Sequence, residues 1–260
     1  MIFYLSCTGN TLWAARQIAH ATGEELVDIT ALPDRPHTFT LDEGERLGFC
    51  FPVHCWRPPM LYRRFLSQLR ISSPQPLFAY ALCTAGDDIG RTIDILREDL
   101  RHVGVKLQAA WSLVMPETYV GLPFMDVDKP KNERRKISDS QQRLDRILPA
   151  IVERRSEGVA NLDIGSMPRL KSGVVAAAFN RWWVNDRWFR VDTARCIHCR
   201  RCEQVCPVDD ISCDGDTPTP QWKHNGRCLT CLSCYHHCPA HAISFAGQTQ
   251  NKGQYYFNHK

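Results

Sequence analysis

Residues 196–207 have the sequence CIHCRRCEQVCP, and residues 228–239 have the sequence CLTCLSCYHHCP. In both stretches three cysteines stand three positions apart, and a fourth follows four positions later with a proline directly behind it. The similarity extends beyond the cysteines, since Ile211-Ser212 in the first copy corresponds to Ile243-Ser244 in the second. Two copies of a unit too small to bury a core alone predict a pseudo-symmetric pair, each copy supplying a loop, a short helix and a strand.

The spacing of these cysteines predicts two [4Fe–4S] clusters. Three thiolates from one tight loop can hold three corners of a cube, and in this bacterial pattern the cysteine before the proline ligates the other cluster. Zinc, the alternative metal, usually takes two separated C-x2-C pairs, which fits the repeat poorly. The predicted ligand sets are Cys196, Cys199, Cys202 and Cys238 for one cluster, and Cys228, Cys231, Cys234 and Cys206 for the other. Cys213 lies outside the pattern and is expected to be a packed core residue.

Composition supports metal rather than disulfide chemistry. The chain has 260 residues and thirteen cysteines, nine of them between positions 196 and 238. Disulfide-dense chains are small and secreted, whereas the first residues show neither the basic segment nor the apolar run of a signal peptide. We therefore expect a cytoplasmic protein without a membrane span. The net charge of +4 is mild and the basic residues form no long block, so nucleic acid is not expected as a partner.

The first half of the chain alternates between strand and helix patterns. Strands are predicted at residues 1–6, 25–29, 46–51, 77–83 and 107–115, with helices at 11–22, 59–69 and 90–103. This alternation predicts an α/β fold with a doubly wound, five-stranded parallel sheet. An amphipathic helix is predicted at 137–152, a connector at 156–172, and an aromatic-rich helix at 174–189 that buries its rings between two domains.

Three loops of this sheet are candidates for binding FMN. In a sheet ordered 2-1-3-4-5, the carboxyl ends of strands one, three and four meet at the switch point where FMN is expected. The first loop offers hydroxyls and N–H groups at a helix N-terminus, which suit a phosphate monoester. The second offers a tryptophan for stacking, and the third offers backbone groups to the pyrimidine edge. The candidate residues are Ser6, Thr8, Gly9, Asn10 and Thr11, then Pro52, Val53, His54 and Trp56, then Thr84, Ala85, Gly86 and Asp87.

With these motifs the chain resembles the flavodoxin–ferredoxin fusion proteins of anaerobes, which join a flavodoxin-like domain to a bacterial two-cluster ferredoxin domain. The resemblance implies FMN in the first domain, two [4Fe–4S] clusters in the second, and electron transfer between them. Cys7 departs from the glycine or alanine usual in the flavodoxin-like loop. The predicted division is an FMN-binding domain at 1–157, a linker with the aromatic-rich helix at 158–186, a small α+β ferredoxin domain at 187–247, and a tail at 248–260.

The predicted function is that of an electron-transfer iron–sulfur flavoprotein that exchanges electrons with a redox protein as donor or acceptor. Two alternatives remain open. One is a flavin-dependent reductase of a small substrate or nicotinamide, although no dinucleotide-binding glycine fingerprint is present. The other is a redox-sensing binding module that holds clusters without flavin. No acid–base pair or nucleophile of a substrate-specific catalytic site is evident.

Overall fold

A parallel five-stranded sheet forms the N-terminal part of the computed structural model, which describes residues 1–74, 77–156, 162–215 and 218–258. Its strands are β1 (Ile2–Tyr4), β2 (Leu26–Asp28), β4 (Arg46–Pro52), β6 (Phe78–Ala85) and β7 (Leu107–Val114), in the spatial order β2-β1-β4-β6-β7. All neighbouring pairs are parallel. The predicted flavodoxin-like α/β fold is therefore confirmed.

Helices cover both faces of the sheet. They are α1 (Asn10–Thr22), α2 (Met60–Gln68), α3 (Thr92–His102) and α4 (Pro130–Val152). Two apolar clusters result: one contains Phe3 and Phe49, and the other contains Ile18 and Leu144. Every residue of β6 is buried, as expected for a central parallel strand covered on both faces.

Two details of this domain differ from the sequence-based prediction. A second parallel pair, β3 (His37–Thr40) with β5 (Leu69–Ser72), was missed because β3 is short and only partly buried, so no apolar run marks it. Helix α4 begins at Pro130, about two turns before the predicted start at residue 137. The prediction missed these turns because they are polar and carry no apolar stripe.

Gly48 in β4 has no room for a side chain. A Cβ atom at this position would lie 2.5 Å from Oη of the buried Tyr80. We expect Gly48→Ala to lower the free energy of unfolding by about 1–3 kcal/mol through overpacking. Gly173→Ala is the matched control, because nothing lies within 4 Å of its Cβ position. The midpoint of thermal unfolding is measured for both variants in the cluster-loaded protein. Equal midpoints for the two variants would contradict the prediction.

The C-terminal part is built from two interleaved copies of one unit. Its strands are β8 (Phe189–Val191), β9 (Ile211–Ser212), β10 (Gln221–Trp222) and β11 (Ile243–Phe245), and its short helices are α7 (Arg201–Gln204) and α8 (Ser233–His236). Strand β8 pairs antiparallel with β11, and β9 pairs with β10. The first and last strands are therefore partners, which ties the two sequence repeats into one body. We call residues 189–258 the cluster unit.

Segments outside these two regions complete the chain. A helical stretch runs through α5 (Pro168–Leu170), a π-helical turn (Lys171–Val175) and α6 (Ala176–Trp182). It ends seven residues before the predicted end at 189, and Trp182 and Trp188 are exposed rather than buried between domains. The predicted boundary at 157/158 lies outside the described residues, and the division into domains stays a prediction. None of the described helices is long and apolar enough to cross a membrane.

Candidate metal centre

A cavity that is partly open to solvent lies on one side of the cluster unit, and we call it cavity I. Four of its lining residues are cysteines: Cys196, Cys199, Cys202 and Cys238. Apolar residues such as Val191, Ala242 and Ile243 form much of the remaining wall. Three of the cysteines belong to the first repeat and the fourth comes from the end of the second. These are the four cysteines that sequence spacing assigned to one cluster.

A second such cavity, cavity II, is lined by the complementary set: Cys206, Cys228, Cys231 and Cys234. Here three cysteines come from the second repeat and Cys206 comes from the first. Phe189, Trp222 and Leu232 contribute apolar wall. The structure thus brings each predicted ligand set to one cavity, with the last cysteine of each repeat crossing to the other repeat's cavity.

Backbone strain in the cysteine loops recurs at equivalent positions. His198 and Arg200 have positive φ angles of 54° and 59°, and Thr230 and Leu232, their counterparts in the second repeat, have 50° and 58°. Left-handed conformations at non-glycine residues are uncommon and persist where the surrounding structure imposes them. In both loops they wrap the backbone around the cavity, so that cysteines three residues apart face the same space.

Backbone N–H groups point at the cysteine sulfurs. The N–H of Asp210 donates to Cys206 Sγ at 3.2 Å, and that of Ala242 donates to Cys238 Sγ at 3.3 Å. These two bonds occupy equivalent positions in the repeats. Thr230 N–H donates in the same way to Cys228 Sγ at 3.4 Å. Such bonds stabilise negative charge on sulfur, and sulfur carries that charge when it ligates iron.

The donor set fits an iron–sulfur cluster. Among the described residues, no group of three or more His, Cys, Asp or Glu side chains could hold a single metal ion; the thiols instead surround a cavity. Burial raises the pKa of the Cys202 thiol to about 12, so a thiolate there requires a nearby positive charge such as iron. Cys213 is 1% exposed, with its Sγ 3.9 Å from Cys202 Sγ, and packs in the core of the cluster unit.

The two cavities differ in their charged lining residues, since Arg200 lines only cavity I and Asp210 lines only cavity II. Asp210 lines cavity II, whereas its repeat counterpart Ala242 lines cavity I. Asp210 is 1% exposed, and its carboxyl group lies against that of Asp186. Burial, followed by the nearby Asp186 carboxylate, raises the pKa of Asp210 to about 6. Above that pH, cavity II therefore has a negative wall that cavity I lacks.

The cluster unit packs directly on the first candidate FMN loop. Ser233 Oγ donates to the carbonyl oxygen of Cys7 at 2.8 Å, and the N–H of Phe257 donates to the carbonyl oxygen of Thr8 at 2.7 Å. Tyr255 Oη donates to Asn10 Oδ1 at 2.8 Å. The tail predicted at 248–260 is thus, over its described residues, a packed segment, and Tyr255 is 5% exposed.

His236 joins the cluster unit to the chain that follows β7. Its Nε2 lies 2.7 Å from the carbonyl oxygen of Thr118, and its Nδ1 accepts the N–H of Tyr255 at 3.2 Å. Burial lowers the pKa of His236 to about 4. A neutral ring therefore makes both contacts at neutral pH, one nitrogen donating and the other accepting.

The side chains of the first loop are satisfied within the protein. Ser6 Oγ accepts the N–H of Leu12 at 3.2 Å, and Asn10 Nδ2 donates to the carbonyl oxygen of Pro116 at 3.1 Å. Thr11 and Thr84 share a hydrogen bond of 2.7 Å between their hydroxyls, which joins the first loop to the third. Thr8, Asn10 and Thr11 are all buried.

The second loop is a tight turn closed by two backbone hydrogen bonds between His54 and Arg57. The N–H of Val53, next to Pro52, donates to the carbonyl oxygen of Thr84 at 2.8 Å, so the second loop contacts the third. The Nζ atom of Lys171 lies 5.4 Å from the centroid of the Trp56 ring, over its face. Ala85 accepts the N–H of Met115 at 2.8 Å, and Asp87 is exposed.

The three candidate FMN loops meet at one edge of the parallel sheet, as predicted, but other residues of the chain cover them. A Cβ on Gly9 would lie 2.8 Å from Cβ of Phe257, one on Gly90 would lie 2.8 Å from Cβ of Trp56, and one on Gly86 would fall on the Glu117 carboxylate. FMN needs open backbone at the first and third loops for its phosphate and ring. In this arrangement the residues present do not fit FMN.

Comparison with known families identifies the first repeat. The model of the 4Fe-4S binding domain family (Fer4) matches residues 189–212, from β8 through the first four cysteines to β9. Comparisons with curated proteins and with solved structures gave no match. The chain therefore combines a flavodoxin-like α/β domain with a cysteine-rich region that binds a [4Fe–4S] cluster, which implies electron transfer.

Proposed function

We propose that this protein is an electron-transfer protein that holds two [4Fe–4S] clusters, one in each cavity of the cluster unit. The observation that carries the proposal is the composition of the two cavities. Each is lined by four cysteines, three from one repeat and one from the other, which supports the crossed ligation expected from the spacing.

The clusters supply one-electron redox chemistry when bound. The chain's own contribution is to hold the thiolates, exclude water and donate hydrogen bonds to sulfur, and these factors set the potential. Cys202 and Cys234 belong to one apolar core that also contains Phe189 and Phe245. Cysteines of the two sets thus belong to the same apolar core, which supports electron exchange between the cavities.

The FMN part of the predicted function rests on the sheet order and the positions of the loops. FMN binding would require Phe257 and Glu117 to leave Gly9 and Gly86. A cluster-only electron carrier is therefore the arrangement that the observed contacts favour. Quantitation of extracted flavin after anaerobic purification distinguishes an FMN-binding protein from a cluster-only carrier. The first yields one flavin per chain and the second yields none.

A reductive titration tests the electron-transfer function. We expect stepwise addition of dithionite under anaerobic conditions to deliver about two electrons per chain, one for each cluster, with reversible bleaching of the visible absorbance. The clusters of an electron carrier should be reduced by dithionite in the absence of any organic substrate. Uptake of one electron would contradict the two-cluster proposal, and rapid bleaching by NADH or NADPH alone would favour the reductase alternative.

Asp210 provides a prediction about the potentials. We expect Asp210→Asn to raise the reduction potential of one cluster by on the order of 50 mV, since a carboxylate beside a cluster disfavours added negative charge. The measurement is a potentiometric titration followed by EPR at pH 8, where the carboxyl is ionised in view of its pKa of about 6. Ala242→Ser, at the equivalent uncharged position, is the control, and equal shifts of both clusters in Asp210→Asn would contradict the assignment of Asp210 to one cavity.

A further inference from the structure

An apolar stripe is exposed along the helical stretch of residues 168–182. Leu170, Val174 and Trp182 retain 49%, 71% and 67% of their surface, and Met167 just before the helix retains 63%. Their spacing of three, four and eight residues puts them on one helix face. Side chains this exposed protrude from the surface and do not line a groove. We call these four residues the apolar stripe.

The opposite side of the same stretch is anchored to the protein. Ser172 Oγ donates to the carbonyl oxygen of Trp56 at 2.9 Å, and Arg57 Nε donates to the carbonyl oxygen of Ser172 at 2.6 Å. At the other end, the Phe179 ring contacts Tyr119 with a centroid distance of 5.6 Å. The helix is thus fixed in orientation, and the stripe faces outward.

Three exposed arginines lie in the same segment of the chain. Arg169 directly precedes Leu170, Arg181 directly precedes Trp182, and Arg187 follows the helix, and none of them forms an ion pair with a carboxylate of the described residues. Residues 167–187 contain four basic residues and one acidic residue, Asp186, which pairs with His224. Lys171 pairs with Asp88, and the segment that carries the stripe is positively charged.

We propose that the apolar stripe and these three arginines form a surface that binds anionic lipid, with the helix lying in the plane of the membrane interface. Protruding aliphatic side chains with a terminal tryptophan suit insertion among lipid headgroups, and basic residues beside them attract anionic lipid. A docking site for a protein partner would more often have a concave pocket for its anchors. The attachment is peripheral, in keeping with the absence of a spanning helix among the described residues.

Co-flotation of the cluster-loaded full chain with vesicles tests the proposal. The vesicles contain either phosphatidylcholine alone or phosphatidylcholine with about a third phosphatidylglycerol. We expect binding to the anionic vesicles that falls about tenfold on Val174→Glu and similarly on Arg169→Glu combined with Arg181→Glu, with weak binding to neutral vesicles. Phe124→Glu is the matched control, because Phe124 is an apolar residue 84% exposed outside the stripe, and it should bind like the unchanged protein.

Iron content per chain verifies that each variant is intact. Absence of binding by the unchanged protein, or equal loss in Phe124→Glu and Val174→Glu, would overturn the proposal. So would equal binding to neutral and anionic vesicles, because the arginines would then have no role. A concentration-dependent dimer that Val174→Glu abolishes, without vesicle binding, would instead assign the stripe to a second copy of the chain.

Discussion

Replacing Cys206 and Cys231 together by alanine is expected to remove one cluster and leave the other, with about four iron atoms per chain remaining. Both cysteines line cavity II, although they belong to different repeats. Replacing Cys199 and Cys206, which belong to the same repeat but line different cavities, is expected to remove or damage both clusters. The reason is that a cubane needs four thiolates, and each set has no other cysteine in its cavity wall.

This pair of double variants distinguishes crossed from uncrossed ligation. If each repeat held its own cluster, Cys199→Ala with Cys206→Ala would leave four iron atoms, and Cys206→Ala with Cys231→Ala would damage both sites. Iron and sulfide quantitation, with EPR to detect three-iron products, gives the answer. Cys213→Ala is the control within the same unit, because Cys213 lines neither cavity, and it should retain both clusters.

Removing the clusters is expected to unfold the cluster unit and leave the parallel sheet folded. Without iron, the loops that meet around the two cavities lose the metal–sulfur bonds that join them. Cluster binding is thus coupled to folding, as in other small metal-binding units.

Hydrogen exchange after anaerobic chelation of iron measures this effect. Amide protection should be lost in β8 and β11 and retained in β4 and β6, whose residues are buried under helices on both faces. Trp222, which stacks on Phe189 with a centroid distance of 5.2 Å, should become solvent-exposed. Retained protection in β8 and β11 without iron would show that the unit folds independently of its clusters.

The elements that the sequence predicted well are those with a local signal. Five apolar runs alternating with helical patterns were enough for the flavodoxin-like topology, and cysteine spacing was enough to group the cysteines that line each cavity. Strand β3 was missed because His37 and Thr40 lie in a short, partly exposed segment without apolar alternation. Its pairing with β5 is a tertiary contact that no local pattern encodes.

The contacts that cover the candidate FMN loops could not be predicted either, because they are tertiary contacts that no local pattern encodes. Phe257 and Tyr255 lie in a polar segment without periodicity, and Glu117 follows a proline in a stretch without a motif. Cys7 was the one available signal, because it departs from the small residues usual in that loop. The thiol of Cys7 lies beside that of Cys231, and the carbonyl oxygen of Cys7 accepts a hydrogen bond from Ser233 Oγ. The unusual residue therefore stands where the loop meets the cluster unit.

One chain is proposed to hold two [4Fe–4S] clusters in the cluster unit. Quantitation of iron and acid-labile sulfide against protein, after anaerobic purification and reconstitution, tests it most directly. We predict about eight of each per chain, four for every cluster. A content of about four of each would mean that only one cavity holds a cluster, and it would contradict the account.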